Sequence, residues 1–148
     1  SGPAPKMSGA QTCHRSYGNW KSDVRSRRSE MIKSYRDLNV YKGSYNLAIR
    51  VYQTALAIPS REQYEIGSQL RRAVTSIPMN IAEGYGKKES VAEFKRFLRM
   101  AAGSVNEVEV LLDMLRDLGY LDKSDHQELR KRYEILGKQI HTLIRTWK

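Results

Sequence analysis

Residues 91–118, VAEFKRFLRMAAGSVNEVEVLLDMLRDL, form the part of this 148-residue chain that decides the fold. Apolar side chains recur there at alternating intervals of three and four residues, the spacing of one face of an α-helix. They are Val91, Phe94, Leu98, Ala101, Val105, Val108, Leu112 and Leu115. A helix with such a stripe must bury it against other elements, and helices are the partners that match its length. The segment therefore predicts an all-helical bundle.

Three further segments, 35–58, 61–83 and 125–147, show the same periodicity. The residues that flank them are of the types that begin and end helices. A serine that is followed three residues later by an acid or a glutamine forms a capping-box pattern. It occurs at Ser34/Asp37, Ser60/Gln63, Ser90/Glu93 and Ser124/Gln127. The expected helix terminators are Pro59, Gly84, Gly86 and Gly119. Since short connections make consecutive helices antiparallel, residues 34–148 are predicted to be an all-α, up-down-up-down four-helix bundle.

Residues 1–33 lack this regularity. Their few apolar side chains keep no helical or strand period, and Arg25, Arg27 and Arg28 form a basic cluster. We interpret the segment as a basic flexible arm or an extension foreign to the native protein, whose native start would then be Met7 or Met31. The alternative is that it docks on the bundle and carries part of the function.

The charge balance points to an anionic partner. Lys and Arg number 26 against 16 Asp and Glu, a net charge of +10. Such an excess attracts polyanions, either nucleic acid or an anionic membrane surface. The lone cysteine, Cys13, cannot form an intrachain disulfide, which fits a reducing cytoplasmic setting. No apolar run approaches the roughly 20 residues of a membrane span, so we expect a cytoplasmic protein.

The densest basic group in the helical part is the candidate binding site. Its members are Arg71, Arg72, Lys87, Lys88, Lys95, Arg96 and Arg99. Because the second and third helices run antiparallel, all seven are expected at one end of the bundle, around residues 84–90. The patch would contact phosphates without reading base sequence. The alternative is an ordinary solvated face.

Leu111, Met114 and Leu118 lie well away from the main apolar stripe of the third helix, at 100° per residue. An exposed apolar row on a soluble protein is usually an interaction site. We therefore predict that these three residues form a self-association interface, with a covering by the fourth helix as the alternative.

Catalysis and metal binding have no support in the sequence. His14, His126 and His141 have no partner at metal-ligand spacing, and are expected to be solvated or edge residues. The residues Gly84–Lys88 lack the spacing of a phosphate-binding loop. An interior proline, Pro78, is expected to be a tolerated kink, or one that shapes a contact surface, with Ser76 and Asn80 satisfying freed backbone groups. No enzyme activity, cofactor or metal is predicted.

Residues 68–86, SQLRRAVTSIPMNIAEGYG, are similar to the signature of the four-helix bundle proteins encoded in intervening sequences of bacterial 23S rRNA genes. Residues 35–41, YRDLNVY, resemble that family's opening. Glu93-Phe94, Phe97-Leu98, Gly103-Ser104, Glu107 and Leu118–Leu121 resemble its third helix. The similarity covers residues 34–122, and the last helix matches by pattern only.

The resemblance implies a ring-like homopentamer without enzymatic role. A related bundle, the accessory variability protein of diversity-generating retroelements, is a basic pentamer that binds a reverse transcriptase and nucleic acid. The sequence therefore leaves two alternative functions. The chain is a non-catalytic oligomeric module that binds RNA or DNA through its basic surface, or it is a scaffold that recruits a reverse transcriptase or another enzyme.

Overall fold

The computed structural model describes Gly2 and residues 32–148. The chain divides into two units, Ser1–Met31 and Ile32–Lys148. The predictions made for the N-terminal segment, namely its flexibility, its docking and the native start at Met7 or Met31, lie outside the described residues.

Four helices make up the second unit: α1 (Asn39–Ala55), α2 (Ile66–Gly86), α3 (Val91–Asp117) and α4 (Lys123–Thr146). Two short 3-10 turns, Tyr35–Asp37 and Ser60–Glu62, precede α1 and α2, and residues 32–148 contain no strand. The most extensive packing is between α2 and α3, followed by α3 with α4 and α1 with α2, and α1 with α4 is the least extensive of the four adjacent pairs. The predicted up-down-up-down four-helix bundle is confirmed.

One apolar core runs the length of this bundle. The stripe predicted on α3 is buried from Phe94 to Leu115, and only Val91 at its start is exposed. It meets Val51 of α1, Ile77 of α2 and Tyr133 of α4, each fully buried. The hydroxyl of Tyr133 has no hydrogen-bond partner among the described residues, and burial raises its pKa above the ordinary value.

The helix ends differ from the serine pattern at two of four places. Ser34 and Asp37 form their capping box, but it closes the 3-10 turn, and α1 begins only at Asn39. Ser90 caps α3 by accepting from the backbone N–H of Glu93. The predictions at Ser60 and Ser124 are wrong: Ser60 makes no capping bond to α2, and α4 is capped by Asp122, which accepts from Asp125 N–H at 2.8 Å.

Gln63 has a different role from the one predicted. Its side-chain amide donates to the carbonyls of Ala55 and Ile58 at the end of α1, at 2.9 and 2.7 Å. Its own side-chain and backbone oxygens accept from the guanidinium of Arg71 in α2, at 2.8 and 2.7 Å. Gln63 therefore ties the end of α1 to the first half of α2 and satisfies carbonyls that a helix end leaves free.

Gly84 and Gly86 do not end α2 before residue 84 as expected, because the helix continues to Gly86. A Cβ atom at Gly84 would lie 2.6 Å from Cβ of Phe97, so this glycine is needed where α2 and α3 cross closely. Gly119 does end α3: its φ is +79°, and the next N–H, of Tyr120, donates back to the carbonyl of Leu115. This is the geometry of a glycine helix stop.

Pro78 lies inside α2 and is buried. Asn80 Nδ2 donates to the carbonyl and to Oγ of Ser76, at 2.8 and 3.0 Å. Ser76 Oγ also pairs with Ser104 Oγ of α3 at 2.7 Å. Asn80 and Ser76 thus form a polar link beside the proline, and this link joins α2 to α3.

Candidate nucleic-acid interface

Five of the seven predicted basic residues lie around the α2–α3 connection. Lys87 Nζ is 4.7 Å from the centroid of the Phe97 ring, and Cζ of Arg96 is 4.6 Å from the same centroid. Lys88 donates to the Tyr85 hydroxyl at 2.9 Å. Glu83 and Glu93 lie beside these cations, at 3.9 Å from Lys87 and 3.0 Å from Arg96. Part of the positive charge at this connection is therefore neutralised locally.

The expectation that all seven share one end is wrong for Arg71 and Arg72. These residues lie in the first half of α2, so about 22 Å of helix separates Arg71 from Gly86 at 1.5 Å per residue. The guanidinium of Arg71 is also bound by Gln63. The physical reason is length: α2 is too long for its first turns to share an end with its last.

Lys95 and Arg99 differ from their neighbours because no described acidic side chain pairs with them. Arg99 is exposed, Lys95 is half-buried, and neither makes a salt bridge within residues 32–148. They are four residues apart on α3, about 40° around the helix at 100° per residue. Both point toward the side of α3 that carries Glu109 and Asp113, which contact α4.

Packing of α3 on α4 brings further cations to this side. Val105 of α3 faces Gly137 of α4, where a Cβ would lie 3.4 Å from Val105 Cγ1. Since the helices are antiparallel, the start of α3 lies beside the end of α4. Exposed Lys138, Arg145 and Lys148 therefore flank Lys95 and Arg99, and exposed His141 lies among them. We call Lys95, Arg99, Lys138, His141, Arg145 and Lys148 the basic face.

The basic face contains no acidic residue. Residues 94–106 of α3 and 135–148 hold no Asp or Glu at all. None of the five Lys and Arg side chains of the basic face forms an ion pair in the described part of the chain. The sequence analysis did not include Lys138, Arg145 and Lys148 in the binding site. The absence of Asp and Glu from residues 135–148 could have indicated them. That absence points to a shared basic surface only once α4 is known to pack beside α3.

The opposite end of the same two helices has paired charges. His126 Nε2 lies 2.7 Å from Asp113 Oδ1, and Arg130 donates to Asp113 Oδ2 at 2.8 Å. The hydrogen bond from His126 and then the one from Arg130 hold the pKa of Asp113 below its usual value. His126, expected at a solvated edge, is buried. We call Glu109, Asp113, His126 and Arg130 the paired cluster.

The predicted self-association row is exposed in part. Leu111 is buried at 4%, so its assignment to an exposed row is wrong: it points into the core of the bundle. Met114 and Leu118 are 47% and 54% exposed. With Met100 and Val110, also exposed, they fall within about 40° of one line along the outer side of α3. The apolar row therefore exists with different members.

Another feature of the surface is a groove of about 710 Å³ between α1 and α4. Arg50 and Glu128 close one end with two hydrogen bonds of 2.6 Å. No group of three or more His, Cys, Asp or Glu side chains among the described residues is placed to hold a metal ion. None of the described helices combines the length and apolarity needed to cross a membrane.

Comparison with known proteins gives matches of two kinds, to a family model and to solved structures. A family model described as "23S rRNA-intervening sequence protein" matches residues 36–142, which extends the resemblance onto α4. A solved structure, described as a protein with unknown function from the S23 ribosomal protein family from Bacteroides thetaiotaomicron, is 24% identical with a TM-score of 0.64. The alignment covers 72% of this chain and 99% of that chain, and at this identity it shows a shared fold. No curated protein matches.

Proposed function

The chain belongs to the family of 23S rRNA-intervening sequence proteins, and from this premise we propose that it is a non-catalytic, oligomeric module that binds RNA through phosphate contacts. The observation that carries the proposal is the basic face, where five Lys and Arg side chains lie together and none of them forms an ion pair with a described acidic side chain. Cations that no acid neutralises interact most strongly with a polyanion, because binding releases condensed counterions. Lys87, Lys88 and Arg96, beside the same end, extend the surface.

The chemistry of the basic face suits phosphate rather than a small substrate. Ammonium and guanidinium groups only donate hydrogen bonds, so they match phosphate oxygens. The side chains stand on two packed helices and form an open surface without the cleft that small ligands prefer. Lys and Arg at such a surface contribute affinity without sequence information.

Self-association is the second part of the proposal. The apolar row of Met100, Val110, Met114 and Leu118 lies on the outer side of α3, where no other described helix covers it. A second row, Tyr45, Ile49, Tyr52 and Leu56, is exposed on α1. When two different surfaces of one chain pair with each other, the contact is heterologous, and it gives a ring if the rotation between copies closes or an open filament if it does not. The homopentamer stays a prediction that fits this arrangement.

The decisive experiment is RNA binding as a function of salt, with two matched triple variants. The test variant carries Lys95→Gln, Arg99→Gln and Lys138→Gln. If each residue contacts one phosphate, the slope of log K against log salt should become shallower by about 2 to 3, and affinity should fall about 100-fold at 100 mM salt. Fluorescence anisotropy with a labelled RNA measures both quantities.

The control variant carries Arg72→Gln, Lys123→Gln and Lys131→Gln, which removes the same number and types of charge elsewhere. None of these three makes an ion pair within residues 32–148. The control should retain most of the affinity. Equal losses in both variants would mean that only net charge matters and would refute the proposed site. Binding to anionic vesicles without binding to RNA would refute the proposed ligand.

One observation favours a scaffold for a protein partner, such as a reverse transcriptase, as a second function. The row on α1 exposes 49% of Tyr45, 41% of Tyr52 and 81% of Leu56. Aromatic residues are enriched at protein interfaces. Tyr52→Glu with Leu56→Glu should abolish capture of such a partner while leaving both the mass of the oligomer by sedimentation and the salt dependence of RNA binding unchanged. A fall in oligomer mass would assign this row to self-association instead. Should RNA binding fall as well, the two functions would share a surface.

A further inference from the structure

Resting on the proposed function, we infer that the basic face takes base-paired nucleic acid, a duplex or a stem, in preference to a single strand. Proteins hold single strands by stacking the bases on aromatic rings in addition to contacting phosphates. Duplex RNA is instead recognised by the geometry of its backbone. The aromatic side chains near the basic face therefore decide between these two classes of ligand.

No Phe, Tyr or Trp ring on α3 or α4 is free to stack on a base, and the small imidazole of His141 is the exposed ring of the basic face. Phe94 and Tyr133 are fully buried, and Phe97 is 5% exposed. Trp147, half-buried just after α4, packs edge-on against Phe94 with ring centroids 4.8 Å apart. The well-exposed aromatic residues of the described part are Tyr45, Tyr52 and Tyr64, which lie on α1 or on the α1–α2 connection.

The arrangement of the cations also fits two phosphate rows. Lys95 and Arg99 stand on α3, while Lys138, Arg145 and Lys148 stand on or just after α4, so two rows run side by side. Packed helices have axes about 8–10 Å apart. A duplex presents two backbones across each groove, and both rows of cations can contact it together. A single strand offers one backbone, and its bases find no Phe, Tyr or Trp platform on this face within residues 32–148.

The test is a competition experiment with the full chain. A labelled 20-base-pair RNA duplex is displaced by the same unlabelled duplex or by each of its strands, designed not to fold on themselves and compared per phosphate. The duplex should compete at least about 10-fold better than either strand. The triple variant of the basic face should lose both interactions.

A designed stacking platform sharpens this test. His141 is exposed within the basic face and has no hydrogen-bond partner among the described residues. Replacing His141 by Trp should raise single-strand affinity by about 5-fold or more, because a base could then stack on the larger indole ring. It should change duplex affinity little, because paired bases are not available for stacking on a side chain. The control His141→Gln should change neither.

The possible outcomes separate the inference from the proposed function. Strands that compete as well as the duplex, but whose binding still fails in the triple variant, would overturn the duplex preference and leave the nucleic-acid interface standing. If His141→Trp left single-strand affinity unchanged, the missing stacking platform would be refuted as the cause of the preference. If neither duplex nor strands bind at 50 mM salt, the proposed function and the inference are both refuted.

Discussion

The two ends of the α3–α4 pair use the same kinds of side chain in opposite ways. In the paired cluster, the Asp113 carboxylate accepts hydrogen bonds from His126 and Arg130, so its negative charge is balanced by polar partners at hydrogen-bond distance. In the basic face no acid lies between residues 94 and 106 or between 135 and 148. Paired charges hold α3 and α4 together. Unpaired charges of one sign repel each other and remain available to bind an anionic ligand.

This difference indicates which charged side chains stabilise the bundle and which are available to bind a ligand. An ion pair at a partly exposed helix contact stabilises the bundle modestly. A group of like charges gives no such gain, and it costs some stability through mutual repulsion. Removing charges should therefore weaken folding at the paired cluster and weaken binding at the basic face. The following predictions test that division.

The largest effect is expected from a change that touches no charge. Gly84→Val would place atoms where a Cβ already comes within 2.6 Å of Phe97. Forcing α2 away from α3 should cost about 3 kcal/mol of unfolding free energy, as for overpacked cores. It should also displace Lys87 and Arg96 from the Phe97 ring. Urea unfolding measures the loss.

The control is Gly86→Ala, two residues along the same helix, where no atom lies within 4 Å of the new Cβ. It should leave stability unchanged within about 0.5 kcal/mol or raise it slightly, since alanine favours helix. A similar loss in both variants would show that glycine flexibility, rather than the close crossing, matters at Gly84.

Next is Asp113→Ala in the paired cluster. It leaves His126 and Arg130 without their shared acceptor, and His126 is buried. We expect a loss of about 1–2 kcal/mol, because a buried polar group loses its partner while Asp113 itself is partly exposed. RNA affinity should not fall. A drop in affinity without a drop in stability would contradict the division between the two ends.

A third prediction introduces an acid into the basic face. His141→Glu places a carboxylate four residues before Arg145, the favourable order for a helix pair. Nucleic-acid affinity should fall about 10-fold, as expected for roughly one lost phosphate contact, while stability changes by less than about 0.5 kcal/mol. His141→Gln is the neutral control. If the two variants bind equally, the basic face does not meet phosphate at this position.

The smallest effect concerns acid stability. Hydrogen bonds from Arg50 lower the pKa of Glu128 to about 2. Because this pKa lies below that of the unfolded chain, the stabilisation is complete above about pH 4.5 and is lost as the pH falls toward 2. Wild type and Glu128→Gln should therefore differ in urea midpoint at pH 6 and converge near pH 2. Glu107→Gln, an exposed residue without an ion pair in the described region, should track wild type throughout.

The sequence predicted the bundle because its signal is local: an apolar side chain every three or four residues marks a helix wherever it occurs. Helix ends were harder, since neighbouring polar residues compete for them. Asp122 caps α4 in place of Ser124, and Gln63 bonds to α1 rather than capping α2. Leu111 was misplaced because an angle on a helical wheel does not tell how far the neighbouring helix reaches.

The basic face could be predicted only in part. Lys95, Arg96 and Arg99 stand close together in the chain, so a charge count finds them. Lys138, Arg145 and Lys148 lie about 40 to 50 residues further along, and only the antiparallel packing of α3 on α4 brings them near. Arg71 and Arg72 lie toward the other end of the bundle, because α2 runs from Ile66 to Gly86 and both residues stand in its first half.

The hydroxyl pair of Ser76 and Ser104 and the close contact of Gly84 with Phe97 have a joint consequence for mechanics. They lie about two turns apart on the same pair of helices, and each of them fixes the register of α2 against α3. Sliding α2 along α3 by one turn, about 5.4 Å, would break both at once. The α2–α3 hairpin should therefore resist sliding and move as one unit, because both contacts would have to break together.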